Sequence, residues 1–79
     1  MKKNQYKLYL YNDSINSFEK VIRALTQNLD WTMYQAEQMA MLAHEKERVV
    51  LRTDNYIPLL KQSRLLKKEG LTVTIDAVD

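Results

Sequence analysis

Tyr6-Lys7-Leu8-Tyr9-Leu10-Tyr11, followed at once by Asn12-Asp13-Ser14, is the segment around which the rest of the chain arranges itself. Tyr6, Leu8 and Leu10 alternate with Lys7, Tyr9 and Tyr11, the period of two that a half-buried strand requires. Asn12-Asp13-Ser14 breaks the strand, because short polar side chains bond nearby backbone and favour turns and helix starts. Such a strand carries an amide and a carboxylate to the rim of its domain.

Working outward, Phe18, Val21, Ile22, Leu25 and Leu29 fall at the spacing of one helical face. Asn16 and Glu19 stand at capping-box distance, which predicts a helix starting near Ser17. Thr32 and Gln35 repeat that spacing ahead of a second stripe, Met33, Ala36, Met39, Ala40 and Ala43, which runs to His44 before the polar Glu45 to Arg48. Val49-Val50-Leu51 reads as a short strand. Thr53, Asp54 and Asn55 offer N-caps for a third helix with Pro58 in its first turn, where no intrahelical hydrogen bond is displaced. Tyr56, Leu59, Leu60, Ser63 and Leu66 form its inner side. Lys67 and Lys68 suit its C-terminal end, and Gly70 suits the residue beyond. Leu71, Val73, Ile75 and Ala77 alternate with Thr72, Thr74 and Asp76 in a last strand. The order β-α-α-β-α-β predicts an α+β fold of two layers, a three-stranded sheet with three helices on one face.

The 79 residues suffice for one domain, spanning residues 6–78 behind a short tail at 1–5. A domain this small buries only about 60% of its unfolded surface. Cysteine is absent, so no disulfide supports the fold, which favours a reducing, cytoplasmic setting. No apolar stretch reaches the roughly 18 residues of a membrane span, and the opening lysines lack the apolar core of a signal peptide. Twelve basic residues face ten acidic ones, too even a balance to imply nucleic acid or a membrane surface by charge alone.

Catalysis fails by elimination. His44 is the single histidine, so two-histidine zinc patterns cannot be built. Asp13, Ser14, Ser17 and His44 have the residue types of a hydrolase triad, yet no glycine near either serine supplies a nucleophile elbow. Gly70, the one glycine, excludes phosphate-cradling loops. No cofactor is expected. Lys61, Arg64, Lys67 and Lys68 line the third helix, and Tyr9 and Tyr11 offer rings for base stacking. Without an RNA-binding aromatic motif, these read as a solvated face and half-buried strand tyrosines.

Asn12, Asp13 and His44 carry more information. Read structurally, they are turn formers and a helix end. Read functionally, they offer an amide oxygen, a carboxylate and an imidazole nitrogen, a set that suits an ammonium group with its three donors. Phe18, Val21, Ala40 and Ala43 would line a pocket beside them.

From Tyr6 to Val78 the chain resembles ClpS, the substrate adaptor of the ATP-dependent Clp protease. The resemblance rests on Tyr6 to Asp13, Phe18-Glu19-Lys20-Val21-Ile22, the helix from Ala36 to His44, and Thr72-Val73-Thr74-Ile75-Asp76. It implies a monomeric, non-enzymatic adaptor for N-degrons, which binds a free α-amino group and a bulky apolar first residue. The adaptor then passes its substrate to the N-terminal domain of a Clp ATPase. Carried over by position, Asn12, Asp13 and His44 contact the α-amino group, and Phe18, Val21, Ala40, Ala43 and Leu71 shape the side-chain pocket. Ser14 stands where the family commonly has a second aspartate, and Asn16-Ser17-Phe18 replaces its Thr-Pro-Met. Phe18 is bulkier than the usual methionine, and Ala40 and Ala43 are smaller than the usual pocket residues. Glu47 occupies the region of a family glycine, and only Met1 to Gln5 precede the strand. Two other readings stand beside this one: an interaction module that docks on a Clp ATPase without reading N-termini, and a small RNA-binding domain.

Overall fold

In the computed structural model, which describes residues 5–78, the alternation around Leu8 and Leu10 forms the central strand β1 (Gln5–Tyr11). Helices α1 (Phe18–Leu29) and α2 (Met33–Lys46) follow, then β2 (Arg48–Asp54), α3 (Tyr56–Lys68) and β3 (Val73–Val78). The expected order β-α-α-β-α-β is observed among the described residues. Of the expected tail, Met1 to Asn4 lie outside the described residues, and Gln5 already belongs to β1.

The sheet order is β2-β1-β3, with both neighbours antiparallel to β1. Leu8 and Leu10 point inward and are buried with Leu51, Leu71 and Val73. They meet Ala24, Leu25 and Leu29 of α1, Ala36 and Ala43 of α2, and Leu59 and Leu66 of α3 in one core. Lys7, Tyr9 and Tyr11 lie on the other face. There the Arg48 guanidinium sits 4.1 Å from the centroid of the Tyr9 ring and donates to the Tyr11 hydroxyl at 3.4 Å. The tyrosine rings are thus engaged by the chain's own arginine. A register shift between Leu8 and Tyr9 leaves Leu51 as the extra residue of β2. A bulge of this kind bends its strand and adds twist.

Several local expectations need correction. Asn16 and Glu19 do not form the capping box. Ser17 is the N-cap of α1, its hydroxyl accepting from the Lys20 N–H at 3.1 Å, and the Asn16 side chain is used elsewhere. Thr32 and Gln35 do form one, with reciprocal bonds of 3.1 Å each. The second strand is longer than Val49 to Leu51 and takes in Thr53 and Asp54, leaving Asn55 at the cap position of α3 without a side-chain bond. Met33, Tyr56 and Ala77 were expected inside and are exposed, because each lies in an element's terminal turn or strand end. The Tyr56 ring packs edge-on against Tyr6 at 5.2 Å. Gly70, with φ 91°, ends α3 as expected: its N–H donates to Lys67 O and that of Leu71 to Leu66 O, a Schellman closure.

Candidate functional site

The end of β1 is held from both sides. The Tyr11 N–H donates to Thr72 O and the Asn12 N–H to Glu47 O, each at 2.9 Å. Glu47 is the C-cap of α2 and adopts a left-handed conformation, φ 73°, which turns the chain out of the helix. Asn12 is thereby fastened to the helix end whose last turn carries His44. An apolar strand, a polar stop and a helix terminus produce the juxtaposition without any long loop.

A hollow of about 540 Å³ opens at this junction, within the usual range of small-ligand sites. Asn12, Asp13 and His44 all line it, as do Phe18, Val21, Ala40, Ala43 and Leu71, so every residue expected at the site borders one cavity. Ala40, Ala43 and Leu71 are about 5% exposed or less and form fixed wall. Phe18 remains 43% exposed, so the chain's own phenylalanine stands at the hollow without being buried. A second hollow of about 420 Å³, lined by Trp31, Tyr34, Met39 and Arg52 among others, shares none of these residues.

Sequence reasoning missed Leu10, Tyr11 and Asn16, which border the same hollow, and noted Ser14, which also borders it, only as a departure from the family pattern. Asn16 is the consequential omission. Its Nδ2 donates to Asp13 Oδ1 at 3.1 Å, to Asp13 Oδ2 at 2.9 Å and to Gly70 O at 2.9 Å. Three acceptors around one nitrogen fix which way the amide faces. The Asn16 Oδ1 is left buried without a partner.

Asp13 sits at the centre of this arrangement. Besides the Asn16 amide, its Oδ1 accepts from the N–H groups of Ile15 at 3.0 Å and Asn16 at 2.9 Å. Its Oδ2 accepts from the Thr72 hydroxyl at 3.0 Å. Partial burial acts to raise the carboxyl's pKa, but the bonds from Asn16, Thr72 and Ile15 outweigh it and hold the group below its ordinary value. The bonds to backbone two and three residues ahead form an Asx-type turn, a pattern that Asp13 in its polar run could have signalled. On the other face of the sheet, hydrogen bonds from Thr74 and Arg48 lower the pKa of the Tyr11 phenol.

Comparison with known proteins bears on the fold and the family. No curated protein matches the chain. A solved structure described as Agrobacterium tumefaciens ClpS2 bound to L-phenylalaninamide superposes with a TM-score of 0.86 at 22% identity, covering 98% of this chain and 100% of that one. That likeness establishes the fold: a three-stranded antiparallel sheet carrying three helices. The family model described as ATP-dependent Clp protease adaptor protein ClpS matches residues 1–74. With nearly the whole chain inside that match, the protein belongs to the ClpS family of Clp protease adaptors.

Proposed function

We propose that the hollow binds the first residue of a substrate with a free N-terminus, as the substrate-selecting step of a Clp adaptor. The supporting observation is that Asn12, Asp13 and His44 border the same cavity as the apolar Phe18, Val21, Ala40, Ala43 and Leu71. An α-ammonium is a three-donor cation, and the polar set offers acceptors. A bulky apolar side chain suits the remaining walls. Burying roughly 150–250 Å² of aromatic surface contributes about 4–6 kcal/mol. Ordering the peptide and losing its freedom offset much of this.

The polar contacts therefore decide whether binding is useful, and they discriminate. An acetylated or internal residue lacks the charge and the donors, and leaves the acceptors without partners. The solved relative's ligand, an amide of phenylalanine, has both a free α-amino group and an aromatic side chain. That chemistry supports the same assignment here. After capture, the bound substrate passes to the N-terminal domain of a Clp ATPase, with this chain acting as a monomer.

Fluorescence anisotropy with peptides beginning Phe, Tyr, Trp or Leu, each beside its N-acetylated twin, tests the reading. The free forms should bind at least about tenfold more tightly, the loss expected when charge-assisted hydrogen bonds disappear. Equal affinity for free and blocked peptides defeats it.

A further inference from the structure

A carboxylate has about four lone-pair directions with which to accept hydrogen bonds. At Asp13 four donor groups already engage them: the backbone N–H groups of Ile15 and Asn16, the Asn16 amide and the Thr72 hydroxyl. All four belong to the protein, and two of them tie the turn across the fold, to Thr72 directly and to Gly70 through Asn16. An ammonium could take an Asp13 oxygen only by displacing one of these bonds. The next residue, Ser14, is exposed at the same hollow and brings a hydroxyl to it.

Resting on the N-terminus reading above, we infer that Asp13 is a positioning residue whose charge organises the Asn12–Asn16 turn, while the side chains of Asn12, Ser14 and His44 contact the ammonium. The site thus holds its cationic ligand without a free carboxylate. A donor from an ammonium to a neutral acceptor gains less than one to an ionised acceptor. Ser14 is then the position that sets how strongly the free amine is preferred over a blocked one.

Three variants test this: Ser14→Asp, Asp13→Asn and Thr72→Val. Each is measured for binding of a Phe-initiated peptide and its acetylated form, together with hydrogen exchange at the Ile15 and Asn16 amides. Ser14→Asp supplies a carboxylate with vacant lone pairs and should raise the free-to-acetylated affinity ratio about tenfold. Thr72→Val removes a donor to Asp13 and leaves its charge in place, so it isolates the bracing role. Asp13→Asn and Thr72→Val should both weaken binding, to degrees that follow the loss of amide protection in each.

An unchanged ratio in Ser14→Asp overturns the inference. So does an Asp13→Asn loss at least tenfold beyond that of Thr72→Val with amide protection intact, since Asp13 would then act on the ligand directly. Absence of any free-amine preference in the unmodified chain defeats the parent reading itself, and with it this one, before a variant is made.

Discussion

Asp13 draws its strength from contacts that require its charge. Burial opposes ionisation, the surrounding N–H and O–H donors favour it, and the donors prevail, leaving the folded pKa below its ordinary 3.8. In the unfolded chain an aspartate titrates near pH 3.9. The folded state therefore resists the proton, and the stabilisation by this turn is complete above about pH 5. It is lost as the pH falls through the lower, folded value. The amide resonances of Ile15 and Asn16 should stay flat from pH 8 to pH 5 and move with a midpoint below 3.8. A midpoint above 4 would mean that the bonds to Asp13 do not favour its ionised form. That Asn12, Asp13 and His44 would border one hollow was legible, because a strand stop and a helix end are local patterns and the family resemblance joined them. Asn16 was not, since its carbonyl partner Gly70 lies 54 positions away and Ser17, one residue on, serves as the cap. Its orphaned Oδ1 costs about 1–3 kcal/mol, which the three bonds from its nitrogen must offset.

At the level of elements, period and caps were readable and terminal turns were not. Ala36, Ala40 and Ala43 form the buried stripe of α2, as their spacing requires, but Met33 at its first position has nothing over it and is 61% exposed. Tyr56 and Ala77 repeat the lesson at the start of α3 and near the end of β3. The end of α2 carries a stronger consequence. Glu47 holds φ 73° with a Cβ, a conformation that costs a non-glycine residue about 1–2 kcal/mol. The strain persists because the Glu47 carbonyl accepts from the Asn12 N–H and so closes the helix onto β1. Glu47→Gly relieves it while adding freedom to the unfolded chain, worth about 0.4–1 kcal/mol in the opposite sense. The net expectation is a gain of about 0.5–1 kcal/mol in urea unfolding. A neutral or destabilised variant would show that the glutamate side chain itself contributes at that corner.

Across the whole molecule, the hollow belongs to no single element. Its walls come from the end of β1, the turn into α1, the first turns of α1, the second half of α2 and Leu71 between α3 and β3. A segment that frays alone would take part of the site with it, so a ligand seated there opposes the opening of every element that lines it. The unfolded chain keeps none of these groups together, which makes ligand binding a direct increment of folding stability. A Phe-initiated peptide at a hundredfold excess over its Kd should add about 2.7 kcal/mol. For a domain of this size that raises Tm by on the order of 10–20 °C. Its acetylated twin at the same concentration should do far less, because the apolar walls remain available and the acceptors at Asn12 and His44 do not find their cation. A differential melting scan separates two sources of affinity that a single binding constant merges. If both peptides raise Tm equally, the apolar walls alone capture the ligand. The polar residues at the end of β1 and on the last turn of α2 would then serve only to hold the fold.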